Sequence, residues 1–125
     1  MAIPKVCGIE TEYGIILRGI DANPVVSSTL LINSYLGPSR HSIGWDFMDE
    51  QPGTDARGFS LDDMLDSDSE MHLVNRVLTN GSRYYVDHAH PEISTPECRS
   101  AEEVVLFDRA AEEIIRDSMT SANEL

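Results

Sequence analysis

Residues 80–92 read Asn-Gly-Ser-Arg-Tyr-Tyr-Val-Asp-His-Ala-His-Pro-Glu, and this stretch restricts the fold more than any other. Asn80-Gly81 is the residue pair that best accepts positive φ at both centres of a type I′ turn, so a hairpin is expected there. Residues 83–87 then alternate as a strand. Arg83, Tyr85 and Asp87 share one face, and Tyr84 and Val86 share the other. Pro91 and Pro96 exclude regular helix between them. Ser100-Ala101-Glu102-Glu103 is a capping box. The helix it opens carries Val104, Phe107, Ala111, Ile114 and Ile115 on one stripe and should end near Met119.

Upstream, residues 3–14 read as a short strand punctuated by Gly8 and Gly14. Asn23-Pro24 starts a second helix, with Asn23 as N-cap and Pro24 at the first helical position. It should run over 24–36, and Gly37-Pro38 stops it. Residues 39–72 have no clear periodicity. Between 49 and 70, eight acids stand against one base, Arg57. A connector of that length is expected to be functional or disordered. Trp45, Phe47 and Phe59 within it suggest intermittent docking, whereas 62–70 also reads as a solvated insertion. One amphipathic helix and a few strands form a small core, which suggests the N-terminal part of a longer protein.

The formal charge is −13, from 22 acids and 9 bases. That argues against nonspecific binding to nucleic acid or to an anionic membrane surface. A nucleotide would need bridging divalent cations. No run approaches the roughly 20 apolar residues of a membrane span. The N-terminus lacks the basic and apolar regions of a signal peptide. Cys7 and Cys98 are therefore expected to be reduced thiols in the cytoplasm.

The acids near the strands carry the chemistry. Glu10 and Glu12 are two apart, on one face of a strand, where they bind Mg²⁺ or stand as a solvated acidic edge. The flanking glycines favour the first by allowing close approach of a ligand. Asp87, at a strand end, is a nucleophile, a general base or a turn cap. Glu92 is a third metal-ligand candidate. His88 and His90 could suggest zinc, but no convincing third nitrogen or sulfur ligand accompanies them. Arg83 shares the Asp87 face and either contacts phosphate or carboxylate or lies exposed.

Three segments together, 8–14 (Gly-Ile-Glu-Thr-Glu-Tyr-Gly), 79–92 and 94–98 (Ser-Thr-Pro-Glu-Cys), resemble the Pup-processing enzymes of actinobacteria. That family comprises the ligase PafA and the deamidase/depupylase Dop. The resemblance covers essentially the whole chain, although family members are several times longer. It implies a glutamine synthetase-like α+β fold, an antiparallel sheet with flanking helices, of which residues 1–125 are the N-terminal part. Asp87-His88-Ala89-His90-Pro91-Glu92 is similar to the depupylase form, and the acidic stretch 39–72 is similar to the segment called the Dop-loop. By resemblance, Glu10, Glu12 and Glu92 hold Mg²⁺ ions that bridge nucleotide phosphates, Tyr85 lies beside them, and Asp87 is the catalytic aspartate. The cofactors implied are ATP, or ADP plus phosphate, and Mg²⁺. The partners implied are Pup and pupylated proteins of the Pup–proteasome pathway, with no DNA, RNA or membrane. The activities implied are hydrolysis of the Pup–lysine isopeptide bond and deamidation of Pup's C-terminal glutamine. The alternatives are a ligase of PafA type and a non-catalytic fragment that binds nucleotide or Pup.

Overall fold

In a computed structural model, which describes residues 5–18, 23–36, 57 and 74–124, two helices cover one face of a small antiparallel sheet. The elements in chain order are β1 (Glu10–Glu12), α1 (Pro24–Leu36), β2 (Asn75–Val77), β3 (Arg83–Asp87), β4 (His90–Ser94) and α2 (Ala101–Ala122). The strand order is β1-β4-β3-β2, with every pairing antiparallel. β2, β3 and β4 form a meander, and β1 closes on β4 with Glu10 opposite Ser94 and Glu12 opposite Glu92. The acidic stretch 39–72 lies outside the described residues. Among the described residues, no helix is long and apolar enough to cross a membrane.

The sheet has two chemically different faces because its side chains alternate. Tyr84, Val86 and Ile93 point to the helices and are at most 1% exposed. They join Val25, Leu31 and Ile32 of α1 and Ala111, Ile114 and Ile115 of α2 in one core. The Tyr84 hydroxyl donates to Ser118 Oγ at 3.3 Å, which ties the sheet to α2 through the middle of that core. The opposite face carries Glu10, Glu12, Arg83, Tyr85, Asp87, His90 and Glu92. This division puts the polar groups on the face the helices leave open.

Both helices start as their sequences predict. Asn23 Oδ1 accepts from the amides of Val25 (2.9 Å) and Val26 (3.3 Å). Ser100 Oγ accepts from the Glu103 amide at 3.2 Å, and the Glu103 carboxylate reaches back to the Arg99 amide at 2.7 Å. α2 continues to Ala122, about a turn beyond the expected end near Met119. Ser100→Ala should cost about 1 kcal/mol and lower the melting temperature by about 4 °C, measured by calorimetry.

Two expectations about strands and turns differ from the structure, and one strand was not foreseen. Among the described residues of the strand expected over 3–14, only Glu10–Glu12 is regular. Before it, single contacts continue the pairing: Cys7 exchanges both backbone bonds with Cys98 (2.9 and 2.7 Å), and Thr95 Oγ1 takes the Ile9 amide. A Cβ at Gly8 would stand 3.1 Å from Thr95 Oγ1, so the glycine permits that approach. Asn80-Gly81 does not form a type I′ turn, because only Gly81 has positive φ (87°). Instead Gly81 N–H bonds to Leu78 O at 3.0 Å, and Asn80 Oδ1 takes the Ser82 amide at 2.9 Å. The type I′ geometry occurs at the next turn, where His88 (φ 45°) and Ala89 (φ 66°) join β3 to β4. β4 itself was concealed by Pro91, a residue that strands usually exclude.

Candidate active site

The sheet order brings together acids that are far apart in sequence. Tyr85, in the middle of β3, lies opposite Glu92 of β4, and β1 lies on the other side of β4. The Tyr85 hydroxyl stands 2.5 Å from Glu92 Oε1 and 3.0 Å from Glu10 Oε1. One phenol proton cannot satisfy both carboxylates. Tyr85 therefore donates to one of them at a time, or a carboxyl proton is shared within the group.

Glu92 is only 7% exposed. Burial pushes its carboxyl above the usual range, and the nearby charges of Asp87, Glu10 and Glu12 push it further, while the bond from Tyr85 opposes them. Burial also raises the Tyr85 phenol, and the two carboxylates beside it reinforce the shift. These acids are held close together, an arrangement that a bound cation relieves.

The rest of the face is arranged around this group. Asp87 follows Tyr85 by two positions on the same face and is half-buried, with its Oδ1 3.0 Å from Nδ1 of the exposed His88. Glu12 Oε1 lies 2.6 Å from His90 Nδ1. Arg83 lies over the Tyr85 ring at 3.7 Å and donates through Nε to Asn75 Oδ1 at 2.7 Å. The Nδ2 of that asparagine is buried and has no hydrogen-bond partner among the described residues.

All six residues singled out by sequence, Glu10, Glu12, Arg83, Tyr85, Asp87 and Glu92, thus lie on one face of three adjacent strands. Glu10, Tyr85 and Glu92 are in direct contact, whereas Glu12 is turned to His90. Among the described residues, no three His, Cys, Asp or Glu side chains are gathered as a metal cage. Mg²⁺ does not need one, since one or two carboxylates plus substrate phosphates and water commonly hold it. The oxygen donors of Glu10 and Glu92, both at the Tyr85 hydroxyl, fit that pattern. Arg83 and the unpaired Asn75 donor fit an anionic group beside it. The sequence signalled His90 only as half of an incomplete zinc pair with His88, and Asn75 not at all. The period-two spacing of His90, Glu92 and Ser94 was the available signal, broken visually by Pro91.

The family model described as Pup-ligase protein matches residues 5–125. A depupylase of Acidothermus cellulolyticus is 42% identical over 97% of this chain and 26% of its own length. A Pup deamidase/depupylase of Mycolicibacterium smegmatis is 38% identical over 89% of this chain and 24% of its own. A Pup–protein ligase of an Arthrobacter species is 31% identical over 96% of this chain and 20% of its own. The chain belongs to the Pup-ligase protein family. It spans between a fifth and about a quarter of the length of these curated relatives.

Proposed function

We propose that this chain forms the acidic catalytic face of an ATP- and Mg²⁺-dependent depupylase. Its reactions are hydrolysis of the isopeptide bond between Pup and a substrate lysine, and of the side-chain amide of Pup's C-terminal glutamine. The observation that carries this reading is the contact of Glu10 and Glu92 through Tyr85, with Asp87 on the same face one alternation further along β3.

Glu10, Glu12 and Glu92 would hold Mg²⁺, and Arg83 would face the nucleotide phosphates. When bound, the metal–nucleotide group supplies positive charge close to where an amide oxygen becomes negative. Tyr85 orients two of the carboxylates. Asp87 delivers the nucleophile, either by attacking the amide carbon itself or by taking a proton from water. In the first route the C–N bond breaks to leave a mixed anhydride with Asp87, which water then hydrolyses; in the second, water adds directly and the C–N bond breaks. In both, the lysine amine or ammonia leaves after taking a proton, one water is consumed overall and a carboxylate remains. The glutamine synthetase-like fold of the larger enzyme belongs to the same proposal, as does the partnership with Pup and pupylated proteins.

The ligase relative supports a second reading, ATP-driven joining of Pup to lysine. The higher identities to the two depupylases favour hydrolysis. Counting ADP released per isopeptide bond by the intact gene product separates the two. Many bonds cleaved per ATP consumed is the expected result, and one ADP per bond formed would replace it with ligation.

A further inference from the structure

Asp87 is followed immediately by two residues in the left-handed region, His88 at φ 45° and Ala89 at φ 66°. With Asp87 paired to His90, they are the two centres of the β3–β4 hairpin loop. Asn-Gly usually fills such a turn, because L side chains with a Cβ resist this conformation. A strained turn persists only where its surroundings hold it. Here two contacts hold it. The Ala89 methyl belongs to the core cluster at 1% exposure. Its carbonyl accepts a 2.9 Å hydrogen bond from Ser28 Oγ on α1, and Ser28 is completely buried.

The Ser28 bond is unlike those of its neighbours. Ser27 and Ser34 turn their hydroxyls back onto the backbone four residues earlier, Asn23 O and Leu30 O, as helical serines commonly do. Ser28 reaches across to another element, 61 residues away in sequence. The carbonyl it holds lies two residues beyond Asp87 and one before His90, the partner of Glu12.

We propose that Ser28 is a positioning residue for the reaction: its hydroxyl clamps the His88–Ala89 turn and so sets the direction in which β3 presents Asp87. The proposal rests on the reading of Asp87 as the group that delivers the nucleophile. Removing the hydroxyl leaves a buried carbonyl unpaired and lets the turn relax toward negative φ. Asp87 then swings away from the scissile amide, while the metal-binding carboxylates of β1 and the middle of β4 keep their pairing.

The test is Ser28→Ala in the intact gene product, with turnover expressed per nucleotide-binding site so that unfolded enzyme is not counted. The expected result is a roughly tenfold fall in kcat with KM for a Pup–lysine conjugate within about twofold of wild type. Adding Ala89→Gly should restore most of the lost kcat, because glycine takes positive φ without strain and needs no clamp. A purely structural serine would not be rescued in this way. If Ser28→Ala yields no soluble protein, Ser28→Cys keeps the volume and a weak donor and should show the same change at about threefold. Wild-type kcat in these variants, or no recovery with Ala89→Gly, overturns the proposal. Asp87→Asn measured beside them separates the two levels. If it is inactive while Ser28→Ala is normal, only the clamp falls. If Asp87→Asn turns over normally, the reading beneath it falls as well.

Discussion

Asp87→Asn is expected to reduce hydrolysis of a Pup–lysine conjugate by about 10³-fold or more, with nucleotide affinity retained. The substitution keeps the shape of the side chain and removes its charge, nucleophilicity and basicity. Its structural consequences are small. Asp87 is half-buried, and its contact is with His88, whose side chain is 59% exposed. Such a pair contributes at most about 1 kcal/mol, so the melting temperature should move by less than about 4 °C. Asp87 is also one of the charges that push the Glu92 carboxyl up. Its neutralisation should therefore leave the nucleotide and metal site intact. A rate within tenfold of wild type, measured with a fluorescent conjugate, would remove Asp87 from the reaction.

Glu92→Gln should have opposite effects on stability and on binding. In wild-type protein without metal, Glu92 is buried beside Glu10, Glu12 and Asp87, and its carboxyl titrates above the ordinary range. The folded state therefore holds this proton more tightly than the unfolded chain does. By linkage, the contribution of Glu92 to stability is greatest at acid pH and is lost as pH rises from the ordinary carboxylate range through the raised value. At neutral pH the ionised group destabilises the metal-free fold. Glutamine removes that charge and can still accept from the Tyr85 hydroxyl. In EDTA, Glu92→Gln should thus raise the urea midpoint at pH 7, and the difference from wild type should shrink toward pH 4–5. The half-buried Glu103 and Glu112 titrate the other way, held low by Arg99 and Arg109, but they are common to both proteins and cancel in the difference. With Mg²⁺ present, loss of a ligand should weaken nucleotide binding by about 100-fold or more in calorimetry. A Glu92→Gln variant less stable than wild type in EDTA at pH 7 would contradict the electrostatic account of this face.

How much of this was legible in the sequence follows from whether the signal is local. α1 and α2 were legible because each carries its cap: Asn23-Pro24 for one and Ser100 with Glu103 for the other. β3 was legible from its alternation. Turn type was not, because it depends on which backbone conformation the flanking pairs impose. Asn80-Gly81 uses its asparagine to take the Ser82 amide, while the I′ conformation falls to His88-Ala89, a pair whose composition gives no warning. β4 was hidden because Pro91 reads as a breaker. It is tolerated where its missing donor is not needed, and its carbonyl still accepts the Tyr13 amide at 3.0 Å.

The site was legible as a list of residues and not as an arrangement. Glu10, Glu12, Asp87 and Glu92 could be picked out as candidates by residue type and spacing, and Tyr85 only through the family resemblance. That Tyr85 bridges Glu10 across 75 residues of sequence depends on β1 choosing β4 as its partner, and nothing local to β1 specifies that. The same reasoning covers Ser28, a serine in an apolar helix whose role exists only once α1 is docked against the β3–β4 turn.

The most direct test of the central claim, that this acidic face hydrolyses an amide of Pup, is intact-mass spectrometry of glutamine-terminated Pup incubated with the intact gene product, ATP and Mg²⁺. Conversion of the terminal amide to the acid, absent with Asp87→Asn and with EDTA, is the predicted result. Pup that keeps its amide under these conditions, while glutamate-terminated Pup is joined to lysine with one ADP released per bond, would contradict it and make the same face that of a ligase.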